Sequence, residues 1–215
     1  MFKHRKEAGR LLAQQLSAYK NAKNTLILAI PRGGVVIGSE IAQRLHLPLD
    51  VLVIRKIGFP FNEELALGAV GLKEKYFNKE LLSHPEVSKE YVKKEVQEKQ
   101  RQVQERYFLL RGKRKMYSIH HKTVILVDDG IATGATMFMA IQILRKQQPK
   151  KIIVAVPVAA PETVERLKKV ADEVLGLEQP FYLGAIGQWY QEFEQVEDQE
   201  AGKILQRAWK TFPGS

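Results

Sequence analysis

The sequence predicts an α/β fold: a mostly parallel sheet covered on both faces, giving three layers, with a flexible flap inserted in the chain. Two observations carry this reading. Short runs of branched apolar residues alternate with segments of helical periodicity. The runs end where Pro, Gly or charged residues begin, as buried strands do when they enter loops.

Residues 3–19 open with a helical pattern: Ala8, Leu11, Leu12, Leu16 and Tyr19 recur at spacings of three and four, with Gln15 as a polar exception. The apolar run 26–30 is closed by Pro31-Arg32-Gly33-Gly34 and reads as a strand. Helical spacing resumes over 35–45, and 49–54 is a second branched run ending at Arg55-Lys56. Strand, helix and strand thus fall within about 30 residues, the size of one βαβ unit. From 55 to 121 the pattern weakens, which fits an insertion or mobile flap within the same domain. A short strand at 65–72 and a long polar helix at 88–110 are expected there. The rhythm returns with a strand at 124–127, a glycine loop and a helix at 137–147. A strand at 152–157, a helix at 162–170 with Pro161 near its start, and a short strand at 174–177 follow. Residues 189–215 are expected to be helical in parts.

Composition narrows the function classes. The chain has 215 residues and no cysteine, which excludes a disulfide framework and thiolate metal sites. No stretch approaches the roughly 18 apolar residues of a membrane span. The start, MFKHRKEAGR, lacks the apolar core of a signal peptide. A cytoplasmic protein is expected. Net charge is +10 and unevenly spread. Residues 89–115 carry ten Lys/Arg against four Asp/Glu, and 172–202 carry eight acids with no Lys or Arg. This pattern suits an anionic partner, contact between a basic and an acidic face, or plainly solvated segments.

The segment VILVDDGIATGAT, residues 124–136, holds the most chemistry. Four apolar residues deliver Asp128 and Asp129 to the end of a strand, where ligands of open α/β sheets bind. Gly130, Ile131, Ala132, Thr133, Gly134, Ala135 and Thr136 then lead into a helix. A helix N-terminus offers unpaired N–H groups and partial positive charge to a phosphate. The glycines permit close backbone approach, and the threonines add hydroxyl donors. Two carboxylates beside an anion site make sense if they accept hydrogen bonds from neutral hydroxyls one ring away. A ribose 5-phosphate satisfies both halves. The P-loop lysine is absent.

These residues resemble the 5-phosphoribosyl-1-pyrophosphate (PRPP) motif of the type I phosphoribosyltransferases. The likeness covers an apparent core of about 25–177. Pro31-Arg32-Gly33-Gly34 matches the position of the family's pyrophosphate loop, and Arg55-Lys56 that of a basic pair in adenine- and orotate-type enzymes. RKEAGRLLAQQL, RKIGFPFNEELALGAV and AIGQWYQEF are similar to a bacterial and archaeal group whose acceptor is unassigned. The resemblance implies a single domain over 1–215, with the flap at about 55–121 and a hood from 1–24 and 178–215. It implies transfer of phosphoribosyl from PRPP to a nitrogen of a nucleobase or similar small acceptor, with magnesium carried mainly by PRPP. It also implies a homodimer or higher homo-oligomer. Asp128, Asp129, Arg32, Arg55 and Lys56 would be catalytic. Gly33, Gly34 and 130–136 would bind substrate. Ala132 stands where oxopurine-type members carry an acid, which disfavours hypoxanthine or guanine.

Other residues leave alternatives open. Glu63 and Glu64 fit a general base, magnesium ligands, or a solvated pair. Trp189 and Tyr190 fit base stacking or packing of the C-terminal segment. His120 and His121 read as loop residues. The basic helix at 88–110 fits nucleic-acid binding, a solvated face or a dimer contact. Two functions therefore stand beside transfer: a PRPP-responsive regulator that binds nucleic acid, and a phosphoribosyl-binding protein with only hydrolytic turnover.

Overall fold

The computed structural model describes residues 1–211, apart from the side chain of Glu64. Its main sheet contains β1 (Thr25–Ala29), β2 (Leu49–Val51), β6 (Thr123–Val127), β7 (Lys151–Val158) and β8 (Glu173–Glu178). The spatial order is β2-β1-β6-β7-β8, and every neighbouring pair is parallel. Both faces are buried. Ile27, Ala29, Ile125, Val127, Ile153 and Ala155 join a cluster with α1 (Arg5–Gln15) and α2 (Gly33–Leu45). Their period-two neighbours Leu26, Leu28, Val124, Leu126, Ile152 and Val154 join another cluster with α5 (Ala135–Arg145) and α6 (Pro161–Lys168). A strand flanked by helices on both sides has no solvent face, so its sequence is apolar throughout rather than alternating.

The segment 55–121 is more ordered than a weakly patterned flap suggests. A three-stranded antiparallel sheet is formed by β3 (Arg55–Phe59), β4 (Asn62–Val70) and β5 (Lys75–Phe77). The short α3 (Lys79–Leu82) and the long α4 (Lys89–Arg111) follow. The expected strand at 49–54 is thus shortened, and residues 52–54 belong to neither sheet. Only Leu49–Val51 pair with β1, and Arg55 and Lys56 open the hairpin rather than close the earlier strand. Register shifts on either side of Gly58 and a positive φ at Phe61 break the hairpin's alternation, which is why the sequence did not display it.

Helix α4 also differs from a wholly solvated rod. Ser88 caps it by accepting a hydrogen bond from the Tyr91 N–H at 3.0 Å. Val96, Val103, Tyr107 and Leu110 form a buried stripe among its polar residues. That stripe meets β3 and α7 (Asp198–Thr211). The α7 helix is the regular part of the expected C-terminal helical region, and 212–215 lie outside the described residues.

A buried ion pair fixes these outer helices to the edge strand. Arg111 Nε and Nη2 donate to Asp50 Oδ1 and Oδ2, each at 2.8 Å. The side chains are 4% and 1% exposed. Val51 and Tyr117 N–H groups donate to the same carboxylate, and Arg111 also donates to the Arg114 and Lys115 carbonyls. Trp209 of α7 donates to the Leu49 carbonyl at 2.8 Å, covering the β2 edge. Replacing one partner strands a buried charge. Arg111→Ala is expected to lower unfolding free energy by about 3–5 kcal/mol in urea titrations. Replacing Asp50 and Arg111 together with apolar residues should cost much less.

Candidate functional site

The site forms where the sheet changes direction. From β1 the chain crosses through α2 to β2 on one side, while β6 lies on the other. The crevice at such a switch point, beyond the carboxyl ends of the strands, is the usual ligand position in this architecture. β1 and β6 pair from Thr25↔Thr123 to Ala29↔Val127, so both strands finish level. The Ile30 N–H then donates to the Val127 carbonyl at 2.9 Å and holds the two following loops together.

Asp128 and Asp129 leave β6 half-buried. The Asp129 N–H donates to Asp128 Oδ1 at 2.9 Å. Burial first, and then the adjoining Asp129 charge, hold Asp128 well above the usual carboxylate range. Gly130–Thr136 arch from this pair to α5, with Ile131 bonded to the Val158 carbonyl at 2.9 Å. Gly134 takes φ +76° as the cap residue and has no side chain to offer; the Ala135 N–H donates to Thr133 Oγ1 at 3.5 Å, and the first turn of α5 faces the loop. Thr163 Oγ1 donates to the Ala132 carbonyl at 3.0 Å and braces the arch. Residues 128–137 and Ile186 line a recess of about 240 Å³.

The other expected groups converge unequally. Pro31, Arg55, Lys56 and Thr136 line an adjacent recess of about 220 Å³, so Thr136 belongs to both. Burial and the neighbouring Arg106 lower the Arg55 pKa from its ordinary value, opposed by Asp198. The peptide between Pro31 and Arg32 is cis. Gly33 and Gly34 form the first turn of α2 instead of a free loop, with Arg32 as cap residue. Their lack of side chains is required. A Cβ at Gly33 would stand 1.8 Å from Asp129 Oδ2, and one at Gly34 would stand 2.8 Å from the Val127 carbonyl. The Arg32 guanidinium is outside both recess linings, 3.7 Å from the Glu197 carboxylate. Glu63 is exposed on β4 and lines neither recess, and the Glu64 side chain lies outside the described residues. His120 and His121 are exposed before β6, ring against ring.

Several supporting residues escaped the sequence reading. Arg5 Nε donates to Asp129 Oδ2 at 2.8 Å from the start of α1. Its Nη1 donates to the Glu194 carbonyl at 2.7 Å, and its guanidinium lies 3.8 Å from the Phe193 ring centroid. Tyr190 is buried and donates to the Asp129 carbonyl at 2.6 Å, so it packs under the loop and is not available to stack on a ligand. Burial and the nearby Asp129 push its phenol up. The two chain ends meet here, with Phe2 N–H bonded to the Trp189 carbonyl at 2.8 Å and Gln191 N–H to the Phe2 carbonyl at 2.9 Å. Only the charge and proximity of RKEAGR to the N-terminus were visible in sequence; the partner of Arg5 was not.

Residues 3–192 match the family described as the phosphoribosyl transferase domain. Over 213 residues the chain is 37% identical to a Mycobacterium tuberculosis protein with a provisional phosphoribosyl transferase name. That match takes in 99% of this chain and 48% of the other, so the chain spans about half the length of the curated relatives it matches. The crystal structure of the protein TT1426 from Thermus thermophilus superposes with a TM-score of 0.84 at 38% identity. It covers 96% of this chain and 98% of that one. A 55-residue segment, 25% of this chain and 20% of the other, is 47% identical to a ribose-phosphate pyrophosphokinase of Pyrococcus furiosus.

The raised Asp128 pKa has a thermodynamic consequence. Above the ordinary carboxylate range the folded protein holds more protons than the unfolded chain, so this group's contribution to stability falls as pH rises toward the raised value. An amide has no charge to desolvate. Asp128→Asn is expected to raise the Tm of the ligand-free protein, by more at about pH 8 than at about pH 5, in thermal scans.

Proposed function

The chain belongs to the phosphoribosyl transferase domain family, and from that premise we propose that it is an enzyme that transfers the 5-phosphoribosyl group of PRPP to a nitrogen of a small acceptor. One observation carries the reading. A paired carboxylate, a glycine arch and the N-terminus of α5 share one recess, and a cationic recess adjoins it at Thr136. Residues 130–136 would hold the 5-phosphate through backbone N–H groups and the two threonine hydroxyls. Asp128 and Asp129 would accept hydrogen bonds from the ribose 2- and 3-hydroxyls. Arg55 and Lys56, with Arg32 at the cap of α2, would receive the pyrophosphate.

In the reaction the bond from the anomeric carbon to the pyrophosphate oxygen breaks, and a bond to the acceptor nitrogen forms with inversion. The acceptor nitrogen loses its proton to the departing pyrophosphate or to water. Positive charge develops on the sugar ring, and the negative charge of the aspartate pair favours it. Positive charge at Arg55 and Lys56 stabilises the leaving group. Movement of the hairpin from Gly58 onward would exclude water during transfer.

Among the described residues no cluster of three or more His, Cys, Asp or Glu is placed to hold a metal ion. The donors present, two carboxylates with one already engaged by Arg5, fit a magnesium ion held chiefly by PRPP oxygens and water. When bound, it would neutralise the departing pyrophosphate. Ala132 leaves no acid at its position in the arch, so an acceptor other than an oxopurine is favoured.

At about one hundred times its Kd, PRPP with magnesium is expected to raise Tm by roughly 5–10 °C. Asp128→Asn should abolish that shift. Pyrophosphate release across a panel of nucleobases and small amines should depend on one of them. Release at the same rate without acceptor would identify hydrolysis instead, and the absence of any PRPP shift would overturn the site assignment.

A further inference from the structure

Asp129 is held from outside its own loop at two points. Its carbonyl accepts from Tyr190, and its carboxylate accepts from Arg5, a residue 124 positions away. Both contacts come from segments that pair at Phe2 and Tyr190. The carboxylate contact is directional. Arg5 approaches Oδ2, and the Gly33 backbone crowds that same oxygen, since a Cβ there would lie 1.8 Å from it. A Cβ at Gly33 would also lie 3.0 Å from Arg5 Nε, so the three groups close one side of the carboxylate.

Arg5 is itself immobilised. It bridges Asp129 and the Glu194 carbonyl, and its planar head rests on Phe193. Its side chain is only 11% exposed, so it is enclosed and offers little surface to a ligand. A guanidinium is suited to this task because its donors stand in a fixed fork, whereas an ammonium is a point charge. Opposite charge at this place also offsets repulsion within the aspartate pair, and Arg5 does lower the Asp128 pKa against the causes that raise it.

We propose that Arg5 is a positioning residue: it fixes the Asp129 carboxylate through Oδ2, so that the remaining acceptor sites of the aspartate pair are aimed at the hydroxyls of a ribose phosphate. This rests on the ribose reading of the site given above. Arg5 acts through Asp129 and does not touch the 5-phosphate, which the arch and the α5 N-terminus would hold. The specificity element for the sugar would thus extend to the first turn of the first helix.

Calorimetric titration with ribose 5-phosphate and with inorganic phosphate separates the possibilities. Arg5→Gln is expected to weaken ribose 5-phosphate binding about tenfold and leave inorganic phosphate binding unchanged. Arg5→Lys should recover part of the loss. In an Asp129→Ala background, Arg5→Gln should add little, because the side chain through which it positions the ligand has been removed. Equal weakening of both ligands, or additive losses in the double variant, would overturn the assignment and make Arg5 a structural strut. If Arg5→Gln fails to fold, Arg5→Lys carries the same comparison, with selective loss of sugar phosphate expected and uniform loss overturning it. Wild-type protein that binds inorganic phosphate but not ribose 5-phosphate would overturn the ribose reading itself. Wild-type binding that Arg5→Gln leaves unchanged would overturn only the role of Arg5.

Discussion

The site depends on the in-register pairing of β1 with β6. These strands are far apart in sequence, yet every residue of one lies opposite a residue of the other, from Thr25↔Thr123 to Ala29↔Val127. Parallel strands of equal length end at the same level, and their loops must leave side by side. The bond from Ile30 to Val127 extends that constraint one residue beyond the sheet. Gly34 then packs on the Val127 carbonyl, and Gly33 on the Asp129 carboxylate. A slip of one residue would exchange the two faces of β1, burying the wrong set of side chains on each side. The hydrophobic core and the geometry of the site are thus specified by the same pairing.

Around this junction the protein tolerates charge in two different ways. Asp50 and Arg111 are both buried, and their opposite charges are satisfied by a two-pronged contact and further backbone bonds. Their arrangement joins the β2 edge to the end of α4 and is structural. Asp128 and Asp129 place like charges together, with Arg5 as partial compensation. Such an arrangement opposes folding, unlike the Asp50–Arg111 pair. The contrast sets the carboxylate pair at the recess apart from the structural Asp50 without reference to their sequence motif.

The sequence by itself determined the parallel core and the glycine arch, because the signals for both are local. Five apolar runs, the helices between them and the Asp-Asp-Gly-Ile-Ala-Thr-Gly-Ala-Thr segment each declare their conformation within a dozen residues. Backbone twist, helix geometry and glycine freedom act over that same range. The tertiary structure alone decided what approaches the arch from elsewhere. It ended the strand expected at 49–54 at Val51 and set Arg55 and Lys56 beside Thr136. It turned Tyr190 beneath the loop and brought Arg5 to Asp129. It also gave α4 a buried stripe that its polar composition concealed. These are contacts between segments remote in sequence, and their energy appears only when long loops have closed and both partners have left water. No local periodicity encodes which carboxylate Arg5 will meet; that follows from the place where Phe2 pairs with residues 189–191.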